Sequence, residues 1–135
     1  MLTGIHPILT GALLAHLDSM GHSDAVVVAD AHFPGARLGR RYIELPSLAT
    51  PDVLAAIRTV IPLDDAPALD LMEAADGDVL PVQRELIHAT AATDADTRFV
   101  ERHAFYELAA DAFLIVRTGE TRPYGNALVR KGIVT

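Results

Sequence analysis

The sequence contains no cysteine, which excludes disulfide bonds, thiolate metal sites and a cysteine nucleophile and fits a reducing cytoplasm. No uninterrupted apolar run approaches the roughly 18 residues that a membrane-spanning helix needs. Residues 1–7 lack a basic start followed by an apolar stretch, so no export signal is expected. We therefore expect a soluble, cytoplasmic protein with no membrane partner.

Basic residues are also scarce. The chain has 11 lysine and arginine residues against 18 acidic residues, a formal charge of −7 with histidine neutral. Because binding to phosphates needs a basic face, we expect no nucleic-acid partner, and neutral or weakly charged small ligands remain open. The 135 residues, half of them hydrophobic, are enough for one domain with its own core, which we place at residues 1–135.

Two hydrophobic patterns alternate along the chain. Apolar residues at helical spacing predict helices over residues 10–20, 50–61, 78–90 and 103–110, with Thr50 as the N-cap of the second. Short apolar or alternating runs predict strands over residues 25–29, 41–45, 68–73, 98–100 and 113–116. Residues 31–40, rich in glycine and proline, are expected to form a loop. The sequence thus predicts an α/β fold with a mostly parallel or mixed central sheet flanked by helices.

The strand predicted at residues 25–29 is apolar throughout, which is typical of a strand buried on both faces. Gly21, suited to the left-handed position after a helix, and His22 precede it, and Asp30 and His32 follow it. Sites in open α/β sheets lie at strand ends, so these polar residues are candidates. Imidazolium is also favoured at His22, just beyond a helix C-terminus.

Each of these three polar residues also has a structural alternative. His22 is about as well explained as a cap that bonds the free carbonyls of the first helix. Asp30 suits an Asx-turn that pins the following loop, and His32 suits packing or exposure to water better than ligand contact.

Arg102, Tyr124 and Asn126 are the other polar residues at the ends of predicted elements. Arg102 is equally suited to a surface ion pair with Glu101 or Glu107. Tyr124 and Asn126 are equally suited to an ordinary strand and an ordinary turn. Taken one at a time, most of these residues favour the structural explanation.

Motifs for the common cofactors and nucleophiles are missing. The chain has no G-x-G-x-x-G pattern, no phosphate-binding loop and no serine-nucleophile elbow, so no cofactor is expected. Its six histidines occupy separate predicted elements, and none are spaced as His-x-x-x-His on one helix, so we expect no metal site.

Seven short motifs are spread over almost the whole chain. They are Gly-Ile-His-Pro (4–7), Met-Gly-His-Ser-Asp (20–24), Asp-Ala-His-Phe-Pro (30–34), Ala-Phe-Tyr-Glu (104–107), Thr-Gly-Glu (118–120), Tyr-Gly-Asn (124–126) and Lys-Gly-Ile (131–133). In this order they resemble the D-ribose pyranase and L-fucose mutarotase family. The motifs at 30–34, 104–107 and 124–126 resemble the fucose branch, since the ribose branch usually has a small residue in place of His32 and ends in Tyr-Ala-Asn.

This resemblance implies a cofactor-free enzyme that interconverts the α and β anomers of a free monosaccharide. The family's catalytic histidine falls on His22. Its sugar-binding residues fall on Asp30, Arg102, Tyr124, Gly125 and Asn126. One departure is His103, which stands where the fucose branch has an aromatic residue, so the rim beside Arg102 is expected to differ.

Mutarotation needs one acid and one base, because the ring oxygen gains a proton while the anomeric hydroxyl loses one. His22 is the expected proton carrier, since imidazole works in either direction near neutral pH, and Tyr124 is the expected second relay. Asp30 and Asn126 would exchange hydrogen bonds with sugar hydroxyls, whereas Arg102 can only donate.

The resemblance further implies a homo-oligomer, a decamer of two stacked pentameric rings with sites near subunit boundaries. L-fucose is the favoured sugar, and D-ribose, other aldoses and pyranose–furanose exchange stay open. Two other classes also stay open: a non-catalytic sugar-binding module of a carbohydrate uptake system, and a structural homo-oligomer without a ligand.

Overall fold

Strands and helices alternate along most of the chain, and the computed structural model describes residues 1–135. The strands are β1 (Ala25–Ala29), β2 (Tyr42–Leu45), β3 (Leu69–Met72), β4 (Thr97–Val100), β5 (Leu114–Thr118) and β6 (Ala127–Arg130). The helices are α1 (Gly11–Ser19), α2 (Gly35–Leu38), α3 (Thr50–Arg58), α4 (Pro81–Thr90) and α5 (Arg102–Asp111), with a 3₁₀ turn at Asp94–Asp96. None of the helices is long and apolar enough to cross a bilayer.

All six strands form one sheet in the order β2-β5-β1-β6-β3-β4. Five strands run parallel, and only β6, between β1 and β3, runs antiparallel to its neighbours. The predicted mixed sheet is therefore confirmed. At one edge, which we call the carboxyl edge, β1 to β5 end and β6 begins. At the opposite amino edge, β1 to β5 begin and β6 ends.

Helices cover both faces of this sheet. On one face, α1, α3 and α4 pack over alternate residues of β1, β3, β5 and β6, and this cluster holds 18 buried apolar residues. On the other face, α5 packs over a smaller cluster that includes Val27 and Phe105. Val26, Val27 and Val28 are fully buried, so β1 is covered on both faces as its unbroken apolar sequence predicts.

Three predictions of local structure were wrong. The second predicted helix ends at Arg58 rather than at residue 61, because the chain leaves the helix in a tighter turn in which the backbone N–H of Val60 donates to the Ile57 carbonyl. The third predicted helix, α4, begins at Pro81 rather than at residue 78, because proline fills the first helical position and the backbone N–H of Asp78 instead donates to Asp76. The segment 31–40, predicted as a loop, contains the one-turn helix α2, in which Gly35 packs against the ring of Tyr42.

Two predicted cap positions were also wrong. Thr50 lies inside α3, where its hydroxyl bonds to the Thr118 hydroxyl at 2.9 Å, and Ala49 occupies the N-cap position. The left-handed residue after α1 is Ser23, with φ of 68°, and not Gly21. Ser23 adopts this conformation because its backbone N–H must reach the carbonyl of Lys131, just after β6.

Candidate functional site

A cavity of about 430 Å³ opens at the carboxyl edge of the sheet. This volume lies in the usual range for small-molecule sites, about 300–1,000 Å³. Four of the residues that we predicted for the site line this cavity, and they are Asp30, Arg102, Tyr124 and Asn126. Its other lining residues are His32, Phe33, Met72, Tyr106 and Pro123. The cavity thus combines a polar floor with an apolar wall.

Asp30 and Asn126 form the polar floor, and both are 3% exposed. The Asp30 backbone N–H donates to Asn126 Oδ1 at 2.8 Å, and Asn126 Nδ2 donates to Asp30 Oδ2 at 3.1 Å. Asp30 Oδ1 accepts from the backbone N–H of His32 at 3.0 Å, so the Asx-turn considered for this residue is present as well. Burial raises the pKa of Asp30, and these hydrogen bonds limit the rise.

Tyr124 has a left-handed backbone, with φ of 63°, which a residue with a Cβ seldom adopts. The strained backbone lies directly at the cavity, where such conformations are usually maintained for function. Gly125 follows without room for a side chain, since a Cβ there would lie 3.0 Å from Glu120 Cγ and 3.3 Å from the carbonyl oxygen of Arg122. Tyr124 is therefore not an ordinary strand residue.

Glu120 holds the turn that presents Tyr124. It is 6% exposed, and its carboxylate accepts from Arg122 Nε at 2.9 Å and Nη2 at 3.0 Å. This fork of hydrogen bonds lowers the pKa of Glu120. The Glu120 carbonyl also accepts from the backbone N–H of Ala31 at 2.8 Å, which joins the turn to the residue after Asp30.

The apolar wall comes from two aromatic residues on neighbouring elements. The rings of Phe33 and Tyr106 meet edge to face at 5.5 Å, and Phe33 meets Phe105 at 5.9 Å. Arg102, the first residue of α5, donates from Nε to the Tyr106 hydroxyl at 3.0 Å. Neither Glu101 nor Glu107 pairs with Arg102, so its charge is directed along the cavity rim.

His32 lies at the mouth of the cavity. Its Nε2 is 3.0 Å from the backbone carbonyl oxygen of Thr121, which lies in the turn after the neighbouring strand β5. His103, on α5, is not a lining residue, but its ring packs edge to face against Tyr106 at 6.3 Å. The rim beside Arg102 thus contains an imidazole, as its sequence position suggested.

His22 is not at this cavity within one chain. It precedes β1 and therefore lies at the amino edge, whereas Asp30 follows β1, and the strand between them is about 13 Å long at the usual rise. The His22 ring does not cap α1 either. Its Nε2 lies 3.0 Å from Asp64 Oδ1, and Asp64 Oδ2 accepts from the Ser23 hydroxyl at 2.6 Å.

The pairing with Asp64 gives His22 a fixed orientation while leaving it accessible. The side chain of His22 is 56% exposed, and that of Asp64 is 13% exposed. The Ser23 hydroxyl bond is the main cause of a lowered pKa at Asp64, so this carboxylate stays charged beside the imidazole. The imidazole is therefore oriented and still accessible from outside the chain.

Sequence reasoning assigned no role to Phe33, Met72, Tyr106, Pro123 or Asp64. Phe33 and Tyr106 stand inside the motifs at 30–34 and 104–107, which was an available signal. Met72 ends β3 at the carboxyl edge, and Asp64 precedes β3 at the amino edge. Neither can be placed before the position of β3 in the sheet is known. His, Asp and Glu side chains form no group of three or more that could hold a metal ion.

Solved structures of sugar-associated proteins share this fold over nearly their full length. The fucose mutarotase of Streptococcus pneumoniae, solved in complex with L-fucose, is 31% identical, with a TM-score of 0.90, and the match covers 99% of this chain and 100% of that one. FucU from Bifidobacterium longum is 34% identical, with a TM-score of 0.89 and coverage of 98% and 99%. Bacillus subtilis RbsD complexed with D-ribose is 25% identical, with a TM-score of 0.80 and coverage of 96% and 98%.

A family model matches residues 3–134, which is almost the entire chain, and its description is the RbsD / FucU transport protein family. The family match, the shared six-stranded fold and the order of the motifs agree with one another. The chain belongs to the RbsD / FucU family, on its fucose mutarotase side.

Proposed function

We propose that this protein is a mutarotase that interconverts the α and β anomers of a free monosaccharide, with L-fucose as the first candidate substrate. The observation that carries the proposal is the cavity floor, where Asp30 and Asn126 are held together beside Tyr124. A neutral polyol needs both donors and acceptors, and these side chains provide both. The relative solved with L-fucose supports the choice of sugar.

The reaction is acid–base chemistry at two oxygen atoms. A base takes the proton of the anomeric hydroxyl, the bond between the anomeric carbon and the ring oxygen breaks, and an acid protonates that oxygen. The open aldehyde turns its other face, and the same groups close the ring in reverse. Proton transfer by a positioned group is typically worth about 10²–10⁴ in rate, which is enough to make one imidazole decisive.

Within the proposed mechanism, His22 carries a proton and comes from a second copy of the chain. A heterologous contact places the amino edge of one copy against the carboxyl edge of the next, and repetition of that contact closes a ring. The exposed, oriented imidazole of His22 suits this contact, and so does a groove of about 500 Å³ that adjoins the cavity and shares Arg102 and Tyr124 with it. We propose a decamer of two pentameric rings.

The remaining proposed roles belong to the chain that forms the cavity. Tyr124 is the second proton relay, and its strained backbone supports a functional demand at that position. Asp30 accepts and Arg102 donates hydrogen bonds to sugar hydroxyls. Gly125 lets the backbone approach Glu120, which brings Asn126 to Asp30.

Saturation transfer between the two anomeric NMR signals tests the function. Uncatalysed exchange is too slow to couple these signals, so we expect coupling in L-fucose only after a sub-stoichiometric amount of protein is added. The screen includes D-ribose, because the RbsD relative was solved with that sugar and its exchange also includes furanose forms. Absence of acceleration for every sugar would contradict the proposal, and tight binding without acceleration would identify a non-catalytic sugar-binding module instead.

A further inference from the structure

We propose that His32 is a further proton-transferring residue of the reaction beside His22 and Tyr124, acting as the base at the anomeric hydroxyl. The inference rests on the proposed mutarotase function. It assigns His32 a role that follows neither from the motifs nor from the contact between His22 and Asp64. It depends on three features of His32: its place in the cavity wall, the contact made by Nε2, and the chemistry of the other lining side chains.

The contact made by Nε2 determines which ring nitrogen carries the proton. Nε2 of His32 lies 3.0 Å from the carbonyl oxygen of Thr121, and a carbonyl oxygen can only accept. Nε2 must therefore be the protonated nitrogen, which leaves a lone pair on Nδ1 in the neutral ring. Nδ1 has no hydrogen-bond partner within the chain, and His32 lines the cavity, so the proposal assigns the ligand's proton to this nitrogen.

None of the other lining polar side chains is as well suited to accept a proton at neutral pH. A guanidinium has no lone pair to offer, an amide is not basic, and a phenol is a weaker base than an imidazole. These reasons exclude Arg102, Asn126 and Tyr106 as the base, and Tyr124 is already assigned to relay the proton between His22 and the ring oxygen. Asp30 is nearly buried, and its two oxygens already accept from His32 N–H and Asn126 Nδ2.

The proton balance then closes with His32 and His22 on opposite sides of the sugar. Nδ1 of His32 takes the proton from the anomeric hydroxyl, and the electron pair of that O–H bond forms the carbonyl. The bond between the anomeric carbon and the ring oxygen breaks, its electron pair goes to the ring oxygen, and that oxygen takes a proton from His22 of the second copy through Tyr124. Ring closure on the other carbonyl face returns both protons, so no other reactant is needed.

His32→Gln tests this assignment, with His88→Gln as the matched control on the exposed face of α4. The backbone N–H of residue 32, and not its ring, contacts Asp30, so the substitution leaves the cavity floor intact. We expect L-fucose exchange to fall by about 100-fold or more in His32→Gln while the Kd for the sugar changes less than threefold. In His32→Ala, added imidazole should restore part of the rate. The His88→Gln control should keep the wild-type rate.

Three results would overturn the assignment while leaving the mutarotase function standing: a His32→Gln rate within threefold of wild type, a loss confined to sugar affinity, or no rescue by imidazole. A measurement on the unsubstituted protein provides a fourth result that could overturn the assignment. Long-range ¹H–¹⁵N spectra should show the Nε2–H tautomer at His32, and an Nδ1–H tautomer would overturn the assignment. A wild-type protein that accelerates no sugar would overturn the proposed function and this inference together.

Discussion

Asp30 and Asn126, 96 residues apart in the chain, bond to each other through two separate hydrogen bonds. This contact exists because β6 lies next to β1 and runs in the opposite direction, so the residue that follows β1 lies beside the residue that precedes β6. The pair fixes the floor of the cavity and orients both side chains. Four predictions below follow from this pair and from the turn that supports it.

Asn126→Ala should destabilise the fold and abolish sugar binding. It leaves the Asp30 backbone N–H and one carboxylate oxygen without their partner in a nearly buried position, which typically costs about 1–3 kcal/mol. Urea denaturation measures this loss. Thr121→Ala is the control, since Thr121 contributes its backbone carbonyl and its exposed side chain makes no hydrogen bond; a change of no more than about 0.5 kcal/mol is expected there. Equal effects of the two substitutions would be inconsistent with the role of the pair.

Asp30→Asn should alter how stability depends on pH. Burial raises the pKa of Asp30 above its ordinary 3.8, so the folded chain holds this proton more tightly than the unfolded chain does. The stability contributed by Asp30 is then greatest below about pH 3.8 and declines as the pH rises through the raised pKa. Asn cannot ionise, so the unfolding free energy of the variant minus that of wild type should increase over this interval and then level off. A difference that is flat or falls with pH would show that the carboxyl is not buried in this way.

Glu120→Gln should weaken sugar binding through the turn that carries Tyr124. The substitution removes charge-assisted hydrogen bonds from Arg122, and because Arg122 is 44% exposed, we expect a loss of only about 1 kcal/mol in stability. Arg122 lowers the pKa of Glu120, so this contribution is present above pH 4.5 and is lost as the pH falls through the lowered value. Glu85→Gln, which removes the more exposed partner of Arg122, is the control. Sugar affinity should fall clearly more in Glu120→Gln, as isothermal titration can measure.

Gly125→Ala should reduce activity more than stability. The added methyl group would meet Glu120 Cγ at 3.0 Å and the Arg122 carbonyl at 3.3 Å, so the turn must shift and move Tyr124 and Asn126. Gly11→Ala is the matched control, because a methyl group at the start of α1 meets nothing within 4 Å. Exchange rates from saturation transfer should fall at least tenfold in the first variant, as expected for misplaced catalytic groups. They should not change in the second. Similar rates in both variants would mean that the close approach at Gly125 has no part in the site.

The sequence was sufficient where the signal was local. The unbroken apolar run of β1 gave its exact bounds, and the candidate residues after β1 and before β6 do meet at one cavity. The contacts that the sequence could not predict depend on the order of the strands in the sheet. Asp64 meets His22 only because β6 separates β1 from β3 and returns the chain to the amino edge.

Backbone strain was equally hidden from sequence patterns. Ser23 and Tyr124 occupy left-handed conformations although neither is glycine. For Ser23 the accompanying contact is the hydrogen bond to Lys131, and for Tyr124 it is the turn folded around Glu120. The first contact joins positions far apart in the chain, and the second lies within a turn whose flanking motifs do not specify a backbone conformation.

A mixed assembly of His22→Ala and Asp30→Asn chains tests most directly whether one site is shared by two copies. Each variant alone should be inactive in anomer exchange, because every site lacks either the imidazole or the carboxylate. In co-assembled 1:1 mixtures, about a quarter of the sites would combine an intact cavity with an intact His22 from the neighbour, if the ring contact is heterologous. We predict that about this fraction of wild-type exchange returns on co-assembly. Mixed assemblies as inactive as their parents would contradict the shared site.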